Sequence, residues 1–183
     1  LPGAKAKQIA EFIAENHMGH KFELIAPKLD SDPRKAVKEI NKLIRTHKNR
    51  KVHLIGTSLG GFYACYFRAK FKEDFLTVHA INPSWTPSKS LSPHVNQVLE
   101  NFKSKELWKF KATYLLKLEE YERYIQENLK TESCKNFYLH ISDADEVLKF
   151  DIMLNLLDKH KIKYVKKVYN SDHRFRNIKE VME

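Results

Sequence analysis

Val52-His53-Leu54-Ile55-Gly56-Thr57-Ser58-Leu59-Gly60-Gly61-Phe62-Tyr63-Ala64 reads as strand, sharp turn, helix. Val52 to Ile55 are apolar or β-branched apart from His53, a short run that suits a strand buried on both faces of a parallel sheet. Gly56 to Gly60 then fits the pattern G-x-S-x-G. In such a turn the serine takes a strained backbone conformation that lifts Oγ above the sheet, and the flanking glycines let the helix pack close to the strand. The first amides of the helix point back at the serine. The Leu59 N–H is therefore the expected oxyanion donor, reinforced by the helix dipole.

Outward from this turn, the chain alternates strand and helix. Ala4 to His17 reads as a helix with Ile9, Phe12 and Ile13 on one face, and Phe22 to Pro27 as a short strand closed by the proline. Asp32-Pro33 is a helix start, with Asp32 at the N-cap and a helix to about Thr46. After the serine turn come an aromatic-rich helix to about Phe71 and the strand Phe75 to Ile81, ended by Asn82-Pro83-Ser84-Trp85. Phe137 to Ile141 and Tyr164 to Tyr169 are the later strands, with a helix running to about His160 between them and a final helix at the end. These spacings predict a three-layer α/β fold: a mostly parallel sheet with helices on both faces. Function in such sheets collects at the carboxyl ends of the strands. Ser58 and the Asn82–Trp85 turn both lie there, so Asn82 and Trp85 are candidate substrate contacts.

Residues 88–133 break the alternation within what is otherwise one domain spanning 1–183. Val98, Phe102, Leu107, Trp108 and Phe110 suggest helix; Tyr114 to Leu118 fits strand or helix, and Glu119 to Leu129 a further helix. Two roles are open for this insertion. It is either an aromatic-lined lid over an apolar pocket or an excursion anchored to the core by those same aromatics.

Composition narrows the function. With 183 residues, 42% hydrophobic and 31% charged, the chain is long enough for one sizeable core. No apolar run approaches the ~18 residues of a membrane span. Cys65 and Cys134 have neither metal-like nor redox-like spacing and read as reduced packing residues, so the cytoplasm is the expected compartment. The formal charge of +10 sits mainly in Arg34–Lys51 and Lys159–Lys179, where Lys and Arg interleave with apolar residues as on solvated faces. No nucleic-acid motif accompanies it, and no specific nucleic-acid partner is expected.

Ser58, an acid after the penultimate strand and His173 after the last one follow the order Ser, Asp, His, which is the α/β-hydrolase order. His173 would take the Ser58 proton as general base, and the acid would orient the imidazole. Asp145 stands at a loop-to-helix junction at a strand's carboxyl end; Asp143 and Glu146 are rivals for the role. A hydrolase-fold protein without turnover, holding a partner on its basic surface, is the alternative.

Gly56-Thr57-Ser58-Leu59-Gly60-Gly61-Phe62-Tyr63-Ala64, Asn82-Pro83, Asp145-Glu146-Val147-Leu148 and His173 with Phe175 resemble the small bacterial esterases of the YqiA/YcfP type, within the α/β-hydrolase superfamily. The resemblance spans nearly the whole chain and is weakest between about Ser88 and Ser133. It implies a cofactor-free serine esterase for short acyl esters, with Ser58, Asp145 and His173 as its triad; thioesters would use the same machinery. Members of that family usually begin with an apolar strand running into a His-Gly-Phe loop that gives a second oxyanion amide. Leu1-Pro2-Gly3 looks like the tail of that loop, so the missing strand is expected upstream of Leu1, lying between the Phe22 and Val52 strands.

Overall fold

The computed structural model describes residues 3–100, 107–130 and 136–183. Helix α1 (Ala4–Glu15) and helix α2 (Pro33–Thr46) precede strand β1 (Val52–Thr57), helix α3 (Leu59–Lys70) and strand β2 (Leu76–Ile81). A short helix α4 (Pro87–Leu91), strands β3 (Val98–Glu100) and β4 (Leu107–Lys109) and helix α5 (Ala112–Asn128) follow. Strand β5 (Phe137–Ser142), helix α6 (Asp151–Lys159), strand β6 (Val165–Tyr169) and helix α7 (Ile178–Met182) complete the chain.

The main sheet has the order β1-β2-β5-β6 and every pairing in it is parallel. Alternation along each strand divides its side chains between two cores. Leu54, Leu76, Val78, Ala80, Phe137 and Leu139 face the larger core, which they share with α2, α3, α5 and α6. Ile55, Ile81 and Tyr169 face the smaller one, built with Ile9 of α1 and Ile178 and Val181 of α7. This is the three-layer α/β arrangement expected from the spacing of the elements.

The α2 entry follows the sequence closely. Pro33 stands at the first helical position, and the Asp32 carboxylate accepts the Arg34 N–H at 2.9 Å as N-cap. Ala36, Val37, Ile40 and Ile44 are buried on one face, leaving the basic residues in solvent.

Three expectations are corrected. Phe22 to Pro27 is extended but forms no strand, because no strand among the described residues offers it ladder partners; Phe22, Leu24 and Ile25 remain about 40% exposed (41%, 40% and 42%). The outer edge of β1 has no strand partner among the described residues. Between that edge and residues 22–29 runs a groove of about 400 Å³, lined by Leu24, Ile25, Ile40, Ile44, Leu54 and Tyr63 among others. Second, the helix read through Val98 and Leu107 is an antiparallel pair, β3 with β4; Phe102 lies outside the described residues. Third, the helix after β5 starts at Asp151, so residues 143–150 form a loop.

Helix α5 is fastened to the body of the protein. Tyr114, Leu118, Tyr121, Ile125 and Leu129 are buried in the larger core, and Tyr121 and Tyr124 pack on Tyr66 of α3 with centroids 4.7 and 5.1 Å apart. Ser88 donates to the Glu122 carboxylate through both its N–H (2.7 Å) and its Oγ (2.8 Å), tying α4 to α5. Cys65 is buried in the same core; Cys134 lies outside the described residues.

Candidate active site

Ser58 has φ 54° and ψ −117°, a left-handed conformation that costs a non-glycine residue about 1–3 kcal/mol unless its surroundings enforce it. Here they do. Its N–H donates to the Ile81 carbonyl at 2.9 Å, and its carbonyl accepts the N–H of Ser84 at 3.1 Å and of Phe62 at 3.0 Å. The serine is thus pinned by the neighbouring strand on one side and by its own helix on the other. Leu59 is the first residue of α3, where backbone N–H groups have no acceptor within the helix and remain available to an anion.

The glycines divide this labour differently from the motif. A Cβ on Gly56 would lie 2.1 Å from the Gly60 carbonyl oxygen, so strand and helix approach only because Gly56 has none. A Cβ on Gly60 would meet nothing within 4 Å. Gly61, outside the five-residue pattern, is the crowded partner: its Cβ would come within 2.9 Å of Pro83 Cα and 3.0 Å of the Ile81 oxygen. The close approach expected of the second motif glycine therefore belongs to Gly61, and it fits α3 against the Asn82–Pro83 turn.

Asp145 and His173 are brought together from the ends of β5 and β6. His173 Nδ1 lies 2.9 Å from Asp145 Oδ2, with the Asp145 side chain 1% exposed and the His173 side chain 20% exposed. The other Asp145 oxygen accepts the N–H groups of Val147 (2.9 Å) and Leu148 (2.7 Å). One carboxylate thus caps its own turn and holds the imidazole, with both oxygens engaged by donors. The rivals do other work. Glu146 accepts the backbone N–H of His173 at 3.0 Å, and Asp143 accepts that of Ser171 at 3.2 Å, so both shape the histidine loop without touching its ring.

The two candidate substrate contacts are buried. Trp85 is 9% exposed and packs in the larger core. Asn82 is 1% exposed and has left-handed φ 40°, and its side chain is spent on the protein itself. Its Oδ1 accepts the Ser142 N–H at 2.8 Å, while its Nδ2 donates to Ser142 Oγ at 2.8 Å. The turn is packed against α3 through Pro83 and against the His173 loop through Asn82. Ser142 was missed from the sequence; a polar residue ending an apolar strand was the available signal.

Behind the site, on the face of the smaller core, imidazoles line up across the sheet. His79 Nδ1 lies 3.1 Å from His140 Nε2, and His140 Nδ1 lies 2.9 Å from the Tyr169 hydroxyl. Burial pushes His79 down to about 3 and His140 down to about 4, holding both neutral at physiological pH. The Tyr169 ring in turn packs edge-on against Phe175, centroids 5.0 Å apart, two residues from His173.

A family model described as the uncharacterised protein family UPF0227 matches residues 2–183. Among solved structures, the chain is similar to a putative hydrolase from Agrobacterium vitis S4, with TM-score 0.64 and 17% identity, covering 98% of this chain and 79% of that one. It is also similar to the esterase domain of a Rhodothermus marinus protein, with TM-score 0.62 and 15% identity over 98% and 78%. A third is the S-formylglutathione hydrolase of Staphylococcus aureus, with TM-score 0.59 and 15% identity over 96% and 72%. At these identities the likeness is one of fold, and that fold is α/β-hydrolase-like. Among the described residues, no helix is long and apolar enough to cross a membrane.

Proposed function

We propose, for a chain that belongs to the UPF0227 family, the YqiA/YcfP family, a serine hydrolase of short acyl esters or thioesters working through Ser58, His173 and Asp145. The observation that carries this reading is the Asp145–His173 pair, 2.9 Å apart, on the same carboxyl edge of the sheet as the strained Ser58 turn. The hydrolases and esterases among its structural neighbours agree with it.

In the proposed cycle, Ser58 Oγ attacks the acyl carbon while His173 Nε2 takes the hydroxyl proton. Asp145 holds the ring with Nδ1 protonated, so that Nε2 is free to accept, and stabilises the imidazolium that results. Negative charge on the carbonyl oxygen is met by the Leu59 N–H at the start of α3. Collapse of the tetrahedral species expels the alcohol or thiol, which receives the proton from His173. Water then attacks the acyl-Ser58 ester by the same route in reverse, returning the proton to Oγ and releasing the acid. We place the second oxyanion donor on an extended segment lying in the groove along β1. The edge of β1, without a strand partner among the described residues, and the apolar lining of that groove support this placement. Loss of one such donor costs other hydrolases ~3 kcal/mol.

Labelling with a fluorophosphonate probe, followed by a p-nitrophenyl ester series of increasing chain length, tests the reading. Wild type should label, Ser58→Ala and His173→Ala should not, and turnover should fall off beyond short acyl chains. A folded full-length protein that neither labels nor turns over would overturn it in favour of a binding protein.

A further inference from the structure

His173 follows β6, and Ser58 follows β1, at opposite edges of the sheet. Three strand spacings separate them, roughly 14 Å at the usual ~4.8 Å per strand. The histidine loop can serve Ser58 only by folding back across the ends of β5 and β2, and something must hold it there.

The ties are visible and they converge on one side chain. Besides its bond to Ser142 Oγ, Asn82 Nδ2 donates to the carbonyls of Asp172 and His173, both at 3.4 Å. Ser142 Oγ in turn donates a hydrogen bond to the Asp172 carbonyl at 2.8 Å. That carbonyl also accepts the Phe175 N–H at 3.0 Å, so it is the anchor of the whole loop. On the other side, Asn82 is directly beyond Ile81, which pairs with Thr57, and Ser84 N–H donates to the Ser58 carbonyl at 3.1 Å. One buried turn is therefore bonded to the nucleophile at one end and to the base-carrying loop at the other.

We propose that Asn82 is a positioning residue that sets the place of His173 relative to Ser58, an inference that rests on the triad reading above. The residue type fits three demands at once. The amide supplies an acceptor for Ser142 N–H and donors for the carbonyls, and asparagine tolerates the left-handed φ of 40° that turns the chain there. Its complete burial leaves no route by which it could touch substrate.

Asn82→Gly keeps the backbone freedom and removes the amide; Asn82→Asp keeps the shape and replaces the donor by an acceptor; Ser142→Ala removes the second donor. In the full chain, kcat for a p-nitrophenyl ester should fall about 10- to 100-fold in Asn82→Gly, the loss typical of a reacting group displaced by about 1 Å. KM should stay within about twofold, and the Phe175 and His173 amides should exchange about tenfold faster by NMR. Asn82→Asp should lose at least as much, since a carboxylate would face the Asp172 and His173 carbonyls. The double variant Asn82→Gly/Ser142→Ala should lose little more than Asn82→Gly alone, because the two share one network. Wild-type kcat in Asn82→Gly with turnover abolished in Ser58→Ala would overturn the positioning role and leave the triad reading standing. A raised KM with unchanged kcat would also overturn it. Turnover that survives in Ser58→Ala would sink both. If Asn82→Gly fails to fold, Ser142→Ala decides by the same readouts.

Discussion

Substituting alanine at each of the three glycines of the serine turn separates geometry from motif. Ala at Gly61 would place a methyl 2.9 Å from Pro83 Cα and 3.0 Å from the Ile81 oxygen, where ordinary contact needs ~3.5 Å or more. Both neighbours are backbone or ring atoms that cannot rotate away. Overpacking of this kind costs about 1–3 kcal/mol, partly offset by up to about 1 kcal/mol from the better helix propensity of alanine. The net expectation is a loss of about 1–2 kcal/mol. At Gly56 the methyl would fall 2.1 Å from the Gly60 oxygen, an overlap that must separate strand from helix, so about 3 kcal/mol or more is expected. At Gly60 there is open space, and the lower chain entropy of the unfolded alanine variant should stabilise by about 0.4–1 kcal/mol. Urea unfolding monitored by tryptophan fluorescence and circular dichroism reads all three. At a slope of about 2 kcal/mol/M the midpoint should fall by about 0.5–1 M for Gly61→Ala and rise slightly for Gly60→Ala. If Gly60→Ala were the least stable of the three, or Gly61→Ala matched wild type, the assignment of the close contact to Gly61 would be wrong.

Three further outcomes are expected. Asp145→Asn preserves an oxygen for the Val147 and Leu148 amides but presents an NH₂ to His173, so kcat should drop about 10³–10⁴-fold with little loss of stability. Asp143→Asn and Glu146→Gln should each cost far less, and a reversal of that order would move the acid role to a rival. Because His79 and His140 have folded values near 3 and 4 against an unfolded value near 6.5, the unfolded chain binds more protons as pH falls. Stability is therefore fully retained above about pH 6.5 and is lost progressively as pH falls, down to about pH 4 through His140 and about pH 3 through His79, amounting to a few kcal/mol. Urea midpoints at pH 7.5 and 4.5 should diverge in wild type and converge in a His79→Gln/His140→Gln variant; equal divergence in both would refute the assignment. Glu122→Ala should leave the Ser88 N–H and Oγ without their carboxylate and loosen α4 from α5, lowering the melting temperature by several degrees. An unchanged melting temperature would show that the tie contributes nothing.

What was legible in the sequence followed from local chemistry. Asp32-Pro33 can start a helix whatever surrounds it, and it does. The parallel strands β1, β2, β5 and β6 were marked by short apolar runs at regular spacing, and Asp145 with His173 by their places after two of them. The roles of Gly61 and Asn82 were not legible, because each depends on a neighbour distant in the chain. Gly61 is crowded by Pro83, and Asn82 is bonded to residues 60, 90 and 91 positions away. A position beside a motif shows that a side chain is near the chemistry. It does not show whether that side chain faces the ligand or the protein.

Phe22 to Pro27 makes the same point in the opposite direction. Its composition suits a strand, yet pairing is a property of two chains within ~4.8 Å of each other, and β1 stands across a groove of about 400 Å³. Three half-exposed apolar side chains on one bank and a strand edge without a partner among the described residues on the other are two liabilities that a single inserted strand would remove together. The groove also passes Gly60, whose missing Cβ keeps the approach to the start of α3 clear. An extended backbone laid there would complete the sheet and run beside the Leu59 amide. Core stability and the second half of the oxyanion hole would then be supplied by one segment, so an extended strand supplied to that groove should raise both the unfolding midpoint and the rate of probe labelling.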